Sequence, residues 1–197
     1  DPDFVFTESL RCRVLVPVVF PRPPDAPLTN DWSINSVDFP IGEPSAEERL
    51  SAAHRIFAAL KGSAVVKVTR MIVDLNARLP AAIAQQVAAD LFARHSFVFS
   101  NVPGPTEPLF IGGKKVVALR PVYQNLLPQV ICVSYCSTMC MSVTLDEALF
   151  PNGERLAELY LKEVEALAER FGVDARDTSA PPPSAKETEL RLVKVVA

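Results

Sequence analysis

The sequence predicts an α+β fold, a mixed β-sheet with helices packed on it. Three observations carry that expectation. Apolar residues alternate or run together over short segments, as strands require. They recur every three to four residues along four longer segments, and Pro/Gly clusters separate the two kinds of pattern.

Residues 10–19 alternate and then run apolar through Val14, Leu15, Val16, Val18 and Val19, as a buried strand would. Prolines 21, 23, 24 and 27 make a stiff loop, and Trp32 to Phe39 reads as a second strand closed by Pro40 and Gly42. Ser45-Ala46-Glu47-Glu48 fits a capping box at a helix start. Leu50, Ala53, Phe57 and Leu60 then share one face, and Gly62 is the expected stop. A second helix sets Val65, Val68, Ile72, Leu75 and Leu79 on a stripe and runs to Pro80. That proline equally suits the start of a third helix, with Ile83, Val87 and Leu91 facing inward.

After His95 the period changes. Residues 96–100 read as a strand entering a Pro/Gly loop at 101–108. Leu109 to Ile111, Gly112-Gly113 and Lys114 to Leu119 read as a hairpin, since paired glycines tolerate positive φ in tight turns. Val130 to Tyr135 and Met139 to Leu145 are two further strands around a polar turn. Glu154 to Phe171 is a last helix, with Leu156, Tyr160, Val164, Leu167 and Phe171 on a stripe and Gly172 at its end. Residues 178–185, with three successive prolines, suggest a polyproline-type tail, and 186–197 are expected to be disordered. The expected organisation is therefore a leading edge at 1–9, one domain over 10–173 and a tail at 174–197.

The chain has 197 residues, 49% hydrophobic and 22% charged, enough for one ordinary domain or half of a larger enzyme. Mean hydropathy is +0.18, yet no stretch approaches the ~20 apolar residues of a membrane-crossing helix. The apolar surplus must fill a core, a lipophilic tunnel, an interface or a surface that touches lipid. A net charge of −3 offers no footprint for nucleic acid. Four cysteines (Cys12, Cys132, Cys136, Cys140) are too few for a disulfide scaffold, which points to reduced thiols in the cytoplasm. The start at Asp1-Pro2-Asp3 shows neither an initiator Met nor a signal-peptide pattern, so the chain reads as a fragment.

Ser100-Asn101-Val102-Pro103-Gly104-Pro105, preceded by Phe97-Val98-Phe99 and followed by Pro108-Leu109-Phe110 and Gly112-Gly113, resembles a signature block of the bacterial-type wax ester synthase/diacylglycerol acyltransferases. Other blocks agree in order. Arg13 to Val18 is similar to a strand ending Val-Pro-Val. Asn30, Ser33 to Phe39 and Pro40-Ile41-Gly42-Glu43-Pro44, then the helix at 46–61, follow the same family's C-terminal domain. So do Leu79-Pro80, Ser134-Tyr135 and the closing helix. Ser137 stands where the family usually has Gly.

The resemblance implies the C-terminal half of a two-domain fold like that of chloramphenicol acetyltransferase. It also implies transfer of a fatty acyl group from acyl-CoA to a long-chain alcohol or diacylglycerol, with acyl-CoA as substrate and no other cofactor. The family's general base is a histidine in a His-His-x-x-x-Asp-Gly motif of an N-terminal domain, and that motif is absent from these residues, as is a second block ending in Asn-Asp. Asn30-Asp31 leads straight into a strand and does not carry that second block. No residue here is therefore assigned a catalytic role. The implied partners are acyl-CoA, a lipid alcohol and a separate N-terminal catalytic domain, with contact at membrane or lipid-droplet surfaces because the substrates are lipids. Ser100, Asn101, Val102, Pro103, Gly104 and Pro105 are the candidate tunnel-bordering loop, weighed evenly against a purely structural strand exit. The competing function is a non-catalytic lipid- or acyl-binding module, or a pseudoenzyme half that lost its first domain.

Other chemistry-bearing residues read as structural. His54 lies on a helix flank, and His95 sits at a helix C-terminus where a cation suits the dipole. Ser134 lacks the Gly-x-Ser-x-Gly elbow of a nucleophile. The four-residue spacing of Cys132, Cys136 and Cys140 lacks Cys-x-x-Cys pairs and suits small core residues rather than a metal.

Overall fold

The computed structural model describes residues 7, 10–20, 23, 25–27, 29, 31–136 and 138–173. The expectations for Asn30, Ser137, most of the leading edge and the tail from 174 onward lie outside them. The chain divides into two compact units, up to Phe99 and from Ser100.

In the first unit, strands β1 (Cys12–Val19) and β2 (Trp32–Phe39) pair antiparallel from Cys12↔Phe39 to Val19↔Trp32. Helices α1 (Ala46–Gly62), α2 (Val65–Asn76) and α3 (Ala81–Ala93) follow. They provide the long crossover that parallel strands need, because β3 (Phe97–Val102) starts parallel to β1 at Val14↔Phe97 and Leu15↔Val98. The strand order is β2-β1-β3.

Alternation along β1 and β2 turns Val14, Val16 and Val37 to one face, where Ile56, Phe57 and Leu60 of α1 pack on them. Phe39 is the hub of that core. Its ring centroid lies 5.9 Å from Phe57, 5.8 Å from Phe97 and 5.6 Å from Phe99, all edge-on. Such contacts each add about 0.5–1.5 kcal/mol beyond the area they bury. The capping box forms as expected: Ser45 Oγ accepts from the Glu48 amide at 3.2 Å, and the Glu48 carboxylate accepts from the Ser45 amide at 3.1 Å.

Four expectations change. Gly62 does not stop α1 by a left-handed turn; it is the last helical residue, and the chain leaves through Ser63 in extended conformation. Pro80 is the N-cap of α3, and α2 has already ended at Asn76. The apolar stripe of α2 faces outward, with Ile72 57% and Leu75 63% exposed, while Val66 is the buried residue. Arg70 lies toward the covered side, where its guanidinium pairs with Asp31 and lies 5.0 Å over the Phe20 ring. In α3, likewise, Ile83 and Val87 are exposed and only Leu91 of that stripe is half-buried.

In the second unit, β4 (Phe110–Ile111) and β5 (Lys114–Lys115) form a small hairpin, tighter than the expected 109–119. Gly112 (φ 58°) and Gly113 (φ 77°) make its turn, as paired glycines should. Strands β6 (Gln129–Tyr135) and β7 (Thr138–Thr144) pair antiparallel from Gln129↔Thr144 to Tyr135↔Thr138, and the order here is β3-β6-β7. Helix α4 (Glu154–Phe171) closes the described chain at Gly172, left-handed at φ 62°. Its buried residue is Ala157, while Leu156 and Phe171 of the expected stripe are exposed.

Cys136, in the turn between β6 and β7, is not the core residue that its spacing suggested. It is half-buried and holds a left-handed φ of 45°. A side chain there costs about 1–2 kcal/mol, partly offset by the entropy that glycine loses on folding. Cys136→Gly should therefore raise the thermal midpoint by an amount equivalent to about 0.5 kcal/mol. Differential scanning calorimetry reads it, and a lower midpoint would mean that contacts of the thiol outweigh the strain.

Candidate functional site

The six candidate residues are divided between a strand and a loop. Ser100, Asn101 and Val102 continue β3, so the strand runs two residues further than expected, and Pro103 breaks it by lacking an amide proton. Ser100 and Gly104 are half-buried; Asn101, Val102, Pro103 and Pro105 are exposed. The loop is then fastened to β6. The Gly104 amide donates to Ser134 Oγ at 3.1 Å, and the Cys136 amide donates to the Pro105 carbonyl at 3.1 Å. Gly104 also approaches β6 so closely that a β-carbon on it would lie 2.0 Å from the Ser134 carbonyl oxygen. Glycine is required here by space, not by φ.

Tyr135 fastens the neighbouring hairpin. Leu109 and Val116 are the next pair outward from Phe110↔Lys115, and two direct ladder bonds would normally join such a pair. Only one is direct, from the Val116 amide to the Leu109 carbonyl at 2.8 Å. The Tyr135 hydroxyl completes the other, accepting from the Leu109 amide at 2.9 Å and donating to the Val116 carbonyl at 2.8 Å. Tyr135 is 3% exposed, so its ring is anchored in the unit while its oxygen sits inside the hairpin ladder. Beyond that root, Phe110, Ile111 and Val117 are open to solvent.

Ser134 and Tyr135 thus hold a loop and a hairpin. Sequence reasoning placed one of the pair in the core, and that is Tyr135, but nothing local signalled either hydrogen bond, because both partners lie well away along the chain.

His54 is exposed on α1. His95 Nδ1 donates to the Leu91 carbonyl at 2.6 Å, securing one of the open carbonyls at the end of α3. Its Nε2 is within hydrogen-bond distance of Ser36 Oγ, at 2.8 Å. Cys132 is buried, and burial pushes its thiol pKa up; the Tyr160 phenol is pushed up first by burial and then by Cys132. Both stay protonated near neutral pH, so neither is a ready nucleophile or base. Among the described residues, no group of three or more His, Cys, Asp and Glu could hold a metal ion. The first unit has an open cleft of about 430 Å³ lined by Arg11, Ser36, Asp38, Ile56 and Leu60, without a histidine. No helix among the described residues is long and apolar enough to cross a membrane.

Comparison with known proteins gives one family. No match was found among curated proteins or among solved structures. The family model for the WS/DGAT C-terminal domain matches residues 28–168, which include β2, all four helices to within a turn of the last, the Ser100–Pro105 loop and the Ser134-Tyr135 strand. With well over half of its length matched and a mixed α/β fold of the expected kind, the chain belongs to the WS/DGAT C-terminal domain family.

Proposed function

We propose that this chain is the C-terminal half of an acyl-CoA-dependent O-acyltransferase that esterifies a long-chain alcohol or diacylglycerol. The general base comes from a companion N-terminal half carrying His-His-x-x-x-Asp-Gly. That imidazole takes the proton of the acceptor hydroxyl as its oxygen attacks the thioester carbonyl. The C–S bond then breaks, and CoA leaves as the thiol after receiving a proton. Imidazole suits the task because its pKa lies near the working pH. Acyl-CoA is a substrate, and no bound cofactor takes part.

The residues of this chain shape the channel rather than react. Ser100, Asn101, Val102, Pro103, Gly104 and Pro105 border the acyl or CoA passage, and the protein works in the cytoplasm beside lipid. One observation carries the reading: the family match spans a loop that is doubly hydrogen-bonded to β6 and pressed against its backbone. A loop held that firmly can define a passage, because its walls do not yield when an acyl chain enters.

The test is acyl transfer from palmitoyl-CoA to hexadecanol and to dioleoylglycerol. The purified chain should form no ester. Joined to an N-terminal half with the histidine motif, it should form ester, and substitution of the second motif histidine should abolish it. Turnover by the isolated chain that disappears in His95→Ala would overturn the assignment. Acyl-CoA binding without transfer by the joined protein would favour a lipid-binding module.

A further inference from the structure

Ser36 and His95 lie far apart along the chain and meet in the fold. Ser36 belongs to β2 and is exposed, His95 follows α3 and is half-buried, and Oγ and Nε2 stand 2.8 Å apart. The other ring nitrogen, Nδ1, lies 2.6 Å from the Leu91 carbonyl. A carbonyl only accepts, so that contact puts a hydrogen on Nδ1. In the uncharged ring Nε2 is then the base that faces the hydroxyl. A hydroxyl within reach of an imidazole whose second nitrogen is held by a third group is the arrangement that activates a nucleophile. Capping α3 uses Nδ1 alone and gives no reason for Nε2 to meet an exposed serine.

Two further features surround the hydroxyl. The bond from the Phe20 amide to the Asp31 carbonyl, 3.0 Å, marks Phe20↔Asp31 as a hydrogen-bonded pair in the register of β1 and β2. Alternation from there places Ser36 where its amide points away from β1. That amide has no hydrogen-bond partner among the described residues. It is a donor for a developing oxyanion, as the nucleophile's own amide is in serine hydrolases of known mechanism. Ser36 also lines the open cleft of about 430 Å³, whose apolar wall is Ile56, Ala59, Leu60 and Val65. His95 does not line it. The acyl part of an ester therefore has room in the cleft, while its alcohol leaves on the side of the imidazole.

We propose that Ser36 is a nucleophile activated by His95 and takes the acyl group of small carboxylic esters. His95 Nε2 accepts the hydroxyl proton as Ser36 Oγ bonds to the carbonyl carbon. The C–O bond to the alcohol breaks, and the alcohol leaves with that proton. Water then attacks the acyl-serine with His95 as base, the acid is released and Oγ recovers a proton. The reaction is hydrolysis within the first unit and uses no histidine of a companion half. It goes beyond the acyl-transfer reading, and either can fail without the other.

The experiment treats the full 197-residue chain with a fluorophosphonate, and separately with p-nitrophenyl butyrate. Peptide mass spectrometry should place the phosphonyl group on Ser36. The ester should give a burst of about one nitrophenolate per chain and then slower release of butyrate. Ser36→Ala should remove both the label and the burst; the side chain is exposed, so circular dichroism should be unchanged. His95→Gln should slow both at least about a hundredfold, the lower range for a positioned general base. A second measurement leaves His95 in place. The chain has two histidines, so in His54→Gln diethyl pyrocarbonate should block labelling of Ser36 by modifying His95, and hydroxylamine should restore it. A folded wild-type chain without label at Ser36 would overturn the proposal. So would labelling of Ser36 at an unchanged rate in folded His95→Gln or after diethyl pyrocarbonate, or a burst that persists in Ser36→Ala.

Discussion

Gly104→Ala should destabilise the second unit by about 3 kcal/mol, the upper part of the range for forcing atoms into a packed site. The added methyl would lie 2.0 Å from the Ser134 carbonyl oxygen and 3.2 Å from a methyl of Val133. The clash is with backbone, so no side-chain rotation relieves it, and either the loop lifts from β6 or the strand bends. Lifting also breaks the bond from the Gly104 amide to Ser134 Oγ. A paired control separates the two effects. Ser134→Ala removes the hydroxyl and keeps the space, so it should cost only about 1 kcal/mol, the net value of an ordinary hydrogen bond. Urea denaturation of both variants reads the difference. Equal costs, or a neutral Gly104→Ala, would show that the close approach does not exist in solution. If the loop borders a substrate passage, Gly104→Ala should also lower turnover of the joined enzyme more than Ser134→Ala does.

Tyr135→Phe should cost about 2 kcal/mol, because one hydroxyl serves two backbone groups and its loss leaves both without that partner. The phenyl ring keeps its burial, so the change isolates the oxygen. The Leu109 amide loses its acceptor and the Val116 carbonyl loses its donor. The remaining bond from Val116 to Leu109 holds the hairpin root alone. Amide exchange at Leu109 should accelerate by more than tenfold, on the scale of 1.4 kcal/mol per factor of ten, while exchange in the centre of β6 changes less. Unaltered exchange at Leu109 would show that the hydroxyl does not sit in the ladder. Exposed Phe110, Ile111 and Val117 depend on that root for their position, so the consequence reaches any surface the hairpin presents.

Together these variants test a view of the Ser134-Tyr135 pair as two struts on one strand. Alternation along β6 turns the two side chains to opposite faces, and each meets a different piece of the segment that follows β3. The loop at 100–105 is thereby tied to a strand some thirty residues later. The two blocks make sense as one assembly: a loop, a hairpin and the strand that holds both.

Much of this protein was legible in its sequence because the signals are local. The capping box at Ser45 and Glu48 needs only four residues, and it formed. The Gly112-Gly113 turn and the Gly172 helix stop follow from backbone sterics alone, and both show positive φ. Helix α4 and strand β2 have the predicted bounds, since their periods differ and each is closed by a clear breaker. Family membership was legible for a related reason: blocks in a fixed order can be read without knowing what they touch.

Tertiary structure alone decided which helix faces are covered and why Gly104 is glycine. Periodicity shows that α2 has a stripe at Val65, Val68, Ile72 and Leu75, but a stripe carries no information about what lies opposite. The folded chain buries Val66 instead, with Arg70 held by Asp31 and Phe20 on that side. Gly104 meets a carbonyl thirty residues away, and Tyr135 completes a ladder it does not belong to. Such contacts arise from how the chain folds back on itself, and spacing along the sequence does not encode them.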